Sequence, residues 1–234
     1  MLIIYDFISY TDVFTYNITT LESLLIYAMK TITYQSDYLG NGFEFATINQ
    51  PDDYEGKVVA TVIRKQCSMP SNKAVLYVHG FNDYFFQSDM AHRFNEKEYH
   101  FYAIDLRKYG RSTLPHHKSN NMRSLTEYFA DLDEALDIIR QEGNEQVLLS
   151  GHSTGGLLVT LYTSERVGNE KFDTIFCNSP FYDMNMPGYQ KRLLVPLVAL
   201  FGKYFPDVLL PGKISEWYRS EERRVGKECL RLCR

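Results

Sequence analysis

The sequence predicts an α/β fold built on a mostly parallel sheet with helices on both faces. From residue 74 onward, short apolar runs alternate with segments in which apolar residues recur at helical spacing. The apolar runs are continuous rather than alternating, which is typical of parallel strands covered on both faces. A chain of 234 residues is long enough to bury the core of one large domain of this class.

The elements follow in chain order. Residues 1–28 form an N-terminal extension without a functional prediction, and we hypothesise that Met29 is the true start. Partial alternation around the turn residues 51–56 predicts a hairpin of residues 43–49 and 57–66. Buried strands are predicted at 74–78, 101–104, 146–150 and 174–178, and helices at 86–94, 124–139 and from 154 to about 165. The second of these helices opens with the capping box Ser124–Glu127.

The segment after the last predicted strand has a different character. We assign residues 29–180 to the core and residues 181–218 to a lid or cap, because prolines divide this segment into short helical pieces. An insertion at this point would lie over the carboxyl ends of the strands, where α/β proteins bind ligands. Its leucines therefore form either a lid over an apolar substrate or the inner face of core helices.

Composition excludes several classes of protein. The chain has 25 basic and 29 acidic residues and a net charge of −4, which gives no nucleic-acid footprint. Four scattered cysteines indicate a reducing compartment, and the N-terminus lacks the basic region of a secretory signal. The apolar stretch 193–201 is too short to span a membrane. We therefore expect a cytoplasmic protein without stable membrane insertion, with no metal and no cofactor.

The turn Gly151-His152-Ser153-Thr154-Gly155 carries the chemistry of the chain. It has the pattern G-x-S-x-G of a nucleophile elbow, and it lies between a predicted buried strand and a predicted helix, as that motif requires. Glycines two residues before and after the serine let the strand and helix backbones approach closely. The helix that follows directs free N–H groups to the point where an oxyanion would form in acyl transfer.

Three motifs in register carry a resemblance to a known family: this elbow, the strand end His79-Gly80-Phe81, and the Asp105-Leu106-Arg107 to Gly110-Arg111-Ser112 segment. Over residues 30–218 the chain resembles the α/β-hydrolase superfamily, and most of all its monoacylglycerol lipase and lysophospholipase branch, which is grouped with the serine aminopeptidase-like hydrolases.

The resemblance implies Ser153 as the nucleophile and the backbone N–H groups of Phe81 and Thr154 as the oxyanion hole, with Gly151, His152 and Gly155 supporting the elbow. It also implies a small-molecule ester substrate with an apolar acyl chain. His79 is expected to order the Phe81 loop, and Asp105 to cap the turn that follows it.

The chain departs from the family pattern at the catalytic general base. The family orders its triad as serine, acid and histidine, but all six histidines of this chain precede Ser153. His152 is a poor candidate because successive residues of the turn point apart. The candidate acids Asp173, Asp183 and Asp207 do not follow a strand of the kind that carries the family acid.

Residues 219–234 give an explanation for this departure. Residues 219–229 resemble the translation of a sequencing-library adapter, so we expect an artefactual tail on an inactive fragment that lacks the last two strands. A basic helix or a metal pair at Cys229 and Cys233 are the alternatives. For the function, the alternatives to an ester hydrolase are a non-catalytic protein that binds a ligand or partner through this fold, and a serine aminopeptidase.

Overall fold

The computed structural model describes residues 32–166, 168, 171–183 and 187–205. The predictions for residues 1–28, Met29, Asp207 and the tail 219–234 lie outside these residues. The described strands form one mixed sheet in the order β1-β2-β3-β5-β4-β6-β7. The strands are β1 Gln35–Ser36, β2 Glu44–Asp53, β3 Gly56–Lys65, β4 Lys73–Val78, β5 His100–Asp105, β6 Gln146–His152 and β7 Thr174–Asn178.

The predicted hairpin forms, although its turn is shorter than expected. Strands β2 and β3 pair antiparallel, and β2 continues through Pro51 to Asp53. The strand tolerates Pro51 because the register shifts between Gln50 and Asp53, where no ladder bond requires its missing N–H. The turn is closed by Glu55 N–H, which donates to Asp53 Oδ1 at 2.7 Å.

The parallel part of the sheet confirms the prediction from residue 74 onward. Strands β5, β4, β6 and β7 run parallel to their neighbours, and β3 joins the hairpin to this part by antiparallel pairing with β5. Because β4 lies in the middle, its residues from Ala74 to Val78 are all buried.

Helices cover both faces of the sheet, as predicted. They are α1 Ser88–Asn95, α2 Phe129–Gln141, α3 Thr154–Glu165 and α4 Gly188–Tyr204, with 3₁₀ turns at Gly110–Ser112 and Leu125–Tyr128. One core contains Leu76 together with buried residues of α2 and α3, and the other contains Val75 together with Ala91 of α1. The capping box of Ser124 and Glu127 is present, but it opens the second 3₁₀ turn, which then leads into α2.

The expectation of short helical pieces after residue 181 is wrong for residues 188–204. These residues form one helix, α4, with Pro196 in its interior. A proline removes one helical hydrogen bond, and in an exposed helix water can satisfy the carbonyl that is left. Leu193, Leu197 and Leu200 are 69%, 54% and 54% exposed, so they do not form the inner face of a core helix. No helix among the described residues is long and apolar enough to cross a membrane.

Candidate active site

Ser153 lies at the corner between β6 and α3. Strand β6 ends at His152 and helix α3 begins at Thr154. Between them Ser153 has φ +52° and ψ −120°, a backbone conformation that a residue with a side chain rarely adopts. Strain of this kind is kept where the surrounding structure enforces it, and it is concentrated at functional sites.

Two glycines make this corner possible because the backbones approach too closely for a side chain. A Cβ atom on Gly151 would lie 2.5 Å from the carbonyl oxygen of Gly155. A Cβ atom on Gly155 would lie 2.4 Å from the carbonyl oxygens of both Val78 and His79. Helix α3 therefore starts directly against the end of β4, as the elbow pattern predicts.

The end of β7 fixes the backbone on either side of Ser153. Ser153 N–H donates to the carbonyl oxygen of Asn178 at 3.2 Å, and Phe181 N–H donates to the carbonyl oxygen of Ser153 at 2.9 Å. The strained residue is thus held by the strand next to its own. Its hydroxyl lies at the carboxyl ends of the parallel strands, the usual place for an α/β active site.

Phe81 and Thr154 present N–H groups beside the serine. A Cβ atom on Gly80 would lie 3.2 Å from Ser153 Cβ, so the loop that carries Phe81 is in contact with the corner. Neither the Phe81 N–H nor the Thr154 N–H forms a hydrogen bond with any described part of the chain. Thr154 is the first residue of α3, where the helix dipole also favours negative charge.

His79 orders the start of the Phe81 loop. Its ring is buried, and its Nε2 accepts the N–H of Leu106 at 3.2 Å. Nδ1 must then carry the proton, and it donates to the carbonyl oxygen of Gly80 at 2.8 Å. The ring therefore ties the end of β4 to the residue that follows β5.

Asp105 holds the other end of this loop. The buried carboxylate accepts Phe85 N–H at 2.8 Å and Arg111 N–H at 3.0 Å, and it pairs with the Arg111 guanidinium at 2.8 Å. The same guanidinium binds Asp37 at 2.7 Å. Asp105 thus has a structural role, since it holds the backbone of Phe85 and Arg111 and the Arg111 guanidinium in place.

The structure brings none of the candidate bases or acids to the serine. His152 Nδ1 lies 3.1 Å from the carbonyl oxygen of Asn178, and no histidine ring bonds Ser153 Oγ in the described ranges. Asp173 lies at the opposite, amino end of the strands, where it accepts Val147 N–H at 2.7 Å. Asp183 forms an ion pair with Lys191. Asp207 lies outside the described residues.

A small pocket is lined by Phe81 and Thr154, next to Ser153 in the chain. Its volume is about 20 Å³, close to that of one water-sized group. Phe81, Thr154 and Gly155 line one side. His79 and Gly80 also line it, and the remaining lining is largely apolar and comes from the segment after β5, the 3₁₀ turn Leu125–Tyr128 and α3: Leu106, Tyr109, Met122, Leu125, Tyr128 and Leu158.

Asp83 lies in the loop that follows Phe81, and its carboxyl group is largely buried. Burial raises the pKa of Asp83. Its Oδ1 accepts Tyr84 N–H at 2.8 Å. A lone aspartate in a loop carries no sequence pattern, so this residue could not be predicted from the sequence.

Metal chemistry has no candidate ligand set in the described ranges, where no three acidic, histidine or cysteine side chains cluster. The proposed pair Cys229 and Cys233 lies outside those ranges.

Comparison with known proteins identifies the family. A model of the family described as serine aminopeptidase, S33, matches residues 69–229. The chain belongs to this family. None of the curated proteins matches the chain in sequence.

Solved structures confirm the α/β-hydrolase fold. A soluble variant of monoglyceride lipase from Saccharomyces cerevisiae, in complex with a substrate analog, has a TM-score of 0.52 at 18% identity, covering 80% of this chain and 58% of that chain. Monoacylglycerol lipase from Paleococcus ferrophilus has a TM-score of 0.51 at 22% identity, covering 66% and 56%. A thermostable carboxyl esterase from Bacillus coagulans, in complex with glycerol, has a TM-score of 0.54 at 15% identity, covering 74% and 61%.

The solved structures are longer than this chain. The chain spans 56–61% of the length of the three proteins. At identities below 25% they establish the fold, and membership of the S33 family makes the chain part of a hydrolase family.

Proposed function

We propose that this chain carries the nucleophile of a serine hydrolase of carboxylic esters, with Ser153 as the residue that is acylated. The observation that carries the proposal is the strained Ser153 at a strand-to-helix corner, next to two N–H groups without a hydrogen-bond partner in the described chain. An acyl-transfer site needs this combination of a serine hydroxyl and N–H donors that are free to bind an oxyanion.

The reaction follows from this arrangement. Ser153 Oγ attacks the ester carbonyl, and the carbonyl oxygen becomes an oxyanion that accepts the N–H groups of Phe81 and Thr154. Collapse of the tetrahedral intermediate expels the alcohol and leaves an acyl-enzyme, which water hydrolyses to the free acid. Removing one such donor costs about 3 kcal/mol of transition-state stabilisation in other enzymes.

The proposal needs a general base that the 234 residues do not offer, since no histidine follows Ser153. We propose that an acid and a histidine outside this chain complete the triad, so that the 234-residue chain alone is inactive. We also propose that residues 181–218 form a lid and that the substrate is a lysophospholipid or a monoacylglycerol. An artefactual tail at residues 219–234 is part of the same proposal, although the family match extends to residue 229. The exposed apolar residues of α4 support the lid, because they would cover an apolar acyl chain. A cytoplasmic location completes this proposal.

The first experiment is to sequence the gene from source DNA past the codon for Trp217, and then to express both the 234-residue chain and any longer product. A fluorophosphonate probe should label the longer product at Ser153. It should not label the Ser153→Ala variant of either chain. The 234-residue chain should react at least about 1,000-fold more slowly, because loss of a triad member leaves only residual catalysis. Labelling of a Ser153→Ala variant would refute Ser153 as the nucleophile. Equal labelling rates for the 234-residue chain and the longer product would refute a base outside this chain.

The absence of a later histidine favours a second candidate, a non-catalytic protein that binds a ligand through this fold. If the reading frame ends after Arg234 in source DNA, this candidate replaces the hydrolase. The family description favours a third, an aminopeptidase. Hydrolysis of aminoacyl p-nitroanilides by the longer product, without hydrolysis of p-nitrophenyl esters, would support it.

A further inference from the structure

Three residues around the Phe81 loop have a left-handed backbone conformation, as Ser153 has. Asn82, Lys108 and Asn120 have φ of +54°, +66° and +60°. Residues with a side chain rarely adopt this conformation, and they keep it where surrounding contacts enforce it. Asn82 directly follows Phe81, whose N–H we propose as a donor of the oxyanion hole. The contacts that enforce these conformations therefore bear on the position of that donor.

Asn120 connects the three residues. Its backbone N–H donates to the carbonyl oxygen of Lys108 at 3.1 Å. Its side-chain Nδ2 donates to Oδ1 of Asn82 at 3.0 Å. Asparagine tolerates a left-handed backbone better than most residues, and its amide can both donate and accept hydrogen bonds. The side chain of Asn120 thus ties the loop after β5 to the loop after β4.

The loop that carries Asn120 is anchored at the tip of the β2–β3 hairpin. The buried Lys108 ammonium lies 2.6 Å from Asp53 Oδ2 and 2.8 Å from Glu55 Oε2. Asn121 Nδ2 donates to Glu55 Oε1 at 2.8 Å. Asn120 is therefore held by its own N–H and by the residue that follows it, so its side chain extends from a fixed backbone.

The Phe81 N–H lies between two restraints. On one side, His79 Nδ1 donates to the carbonyl oxygen of Gly80 at 2.8 Å. This carbonyl belongs to the same planar peptide group as the Phe81 N–H, so the bond limits how that group can rotate. On the other side, the Asn82 side chain is held by Asn120. The Phe81 side chain is 55% exposed, so packing contributes little to holding the loop.

We propose that Asn82 and Asn120 are positioning residues of the oxyanion hole, because the hydrogen bond between them keeps the Phe81 N–H directed at the site where the oxyanion forms. The proposal deepens the hydrolase function proposed above and rests on it. Both residues act through Phe81 rather than on the reacting atoms. A donor that is already in place stabilises the transition state without reorganisation. Without the bond, the Phe81 peptide would sample several orientations, and fewer molecules would present the donor.

Glycine variants remove the bond without adding backbone strain. Asn82→Gly and Asn120→Gly each delete the side chain, while glycine adopts a positive φ freely and retains the backbone N–H that Asn120 donates to Lys108. Asn120→Asp is the conservative variant, because a carboxylate can accept from the Asn82 amide once that amide has turned over. Asn41→Gly is the matched control: Asn41 is exposed, has φ +50° and lies in the turn between β1 and β2.

The first measurement uses the 234-residue chain and requires no turnover. The ¹⁵N order parameter of the Phe81 amide reports how tightly that N–H is held on the picosecond to nanosecond timescale. We expect a value of about 0.85 in the parent and below about 0.6 in Asn82→Gly and Asn120→Gly. Asn120→Asp and Asn41→Gly should stay close to the parent. A rigid Phe81 amide in both glycine variants would show that other contacts hold the loop, and it would overturn the proposal.

The second measurement is ester hydrolysis by the longer product. In each glycine variant kcat should fall about tenfold, less than the loss of about 100-fold or more when an oxyanion donor is removed outright. KM should change less than about twofold, because an oxyanion donor acts in the transition state and not on the bound substrate. Asn120→Asp should recover most of kcat. A rise in KM at constant kcat would indicate contact with the substrate instead and would overturn the proposal.

The double variant Asn82→Gly/Asn120→Gly tests whether the two residues act through one bond. If they do, its kcat falls no further than in either single variant, about tenfold in total. A loss near the product of the two single effects, about 100-fold, would show that the residues act separately and would overturn the proposal.

The outcomes separate this proposal from the function on which it rests. Normal kcat in both glycine variants of a longer product that is labelled at Ser153 would refute the positioning role alone. If the reading frame ends after Arg234, or if the longer product is not labelled at Ser153, the hydrolase is refuted. The positioning role then falls with it, even where the Phe81 amide loosens in the glycine variants.

Discussion

Strands β4 and β7 have the same sequence pattern and very different surroundings. Both are short apolar runs that pair parallel with β6. Leu76 in β4 is fully buried, whereas Phe176 in β7 is 56% exposed. Strand β4 also pairs with β5 and is covered by helices on both faces, while β7 pairs only with β6 among the described residues. An apolar run thus predicts a strand, but its place in the sheet decides how deeply it is buried.

The same contrast extends to charged residues. In the packed region, residues 32–166, Arg107 and Asp131 form a buried pair, and Lys108 lies buried between Asp53 and Glu55 at 2.6 and 2.8 Å. In the outer region, residues 171–183 and 187–205, the pair of Lys191 and Asp183 is exposed to solvent. We therefore expect the packed region to determine the stability of the chain.

The largest effect should come from breaking the buried ion pair. The Arg107 guanidinium contacts both oxygens of Asp131, with distances down to 2.6 Å. Arg107→Ala leaves the Asp131 carboxylate buried without its partner, so the free energy of unfolding should fall by about 4 kcal/mol in urea titrations. Lys191→Ala is the control in the outer region and should cost less than about 1 kcal/mol. Similar losses for the two variants would contradict the contrast.

A smaller effect should come from truncating one apolar side chain in each strand. Leu76→Ala leaves a cavity in the middle of the sheet, and the free energy of unfolding should fall by about 3 kcal/mol. Ile175→Ala in β7 removes a side chain that is 40% exposed, and the loss should be below about 1 kcal/mol. Urea unfolding measures both losses, provided that the dependence of the free energy of unfolding on urea concentration is the same in parent and variants. A loss at Ile175 as large as that at Leu76 would show that β7 is covered in solution.

Local signals explain which parts of the fold could be predicted from the sequence. The strands from residue 73 onward, the capping box and the corner at Ser153 are each encoded in a few adjacent residues. The glycines at 151 and 155 carry the signal for the close approach of α3 to β4, since any Cβ atom there would collide with backbone. Such features follow from sterics and periodicity alone.

Contacts between distant residues could not be predicted in the same way. Lys108 reads as an ordinary loop lysine, and only the fold brings Asp53 and Glu55 to it across more than fifty residues. Tyr128 lies within the helix predicted over residues 124–139, and only the fold brings its ring edge-on to that of Tyr109, with the centroids 6.1 Å apart. The continuity of α4 through Pro196 was also missed, because a proline usually ends a helix.

The smallest expected effect is the pH dependence of stability that two carboxylates of the packed region contribute. Its sign should be opposite for the two. Burial raises the pKa of Asp83 above its usual value of 3.8, so the folded protein favours the protonated form. That contribution to stability is fully present below about pH 3.8 and is lost as the pH rises through the folded pKa. Asp83→Asn keeps an oxygen for Tyr84 N–H, so it should be more stable than the parent at pH 7, and the gain should vanish in acid.

Asp53→Asn is the matched change with the opposite sign. Burial alone would raise the pKa of Asp53, but the hydrogen bonds from Lys108 and from Glu55 N–H, together with the charges of Lys108 and Arg107, outweigh it and lower the pKa. The contribution of this carboxylate is therefore present above about pH 3.8 and is lost as the pH falls through the folded pKa. The variant should be less stable than the parent at pH 7, and the two should converge in acid. Urea unfolding of the parent and both variants from pH 3 to pH 7 measures how the stability difference between each variant and the parent changes with pH. Changes of equal sign for the two variants would mean that the Lys108 ion pair does not compensate the burial of Asp53.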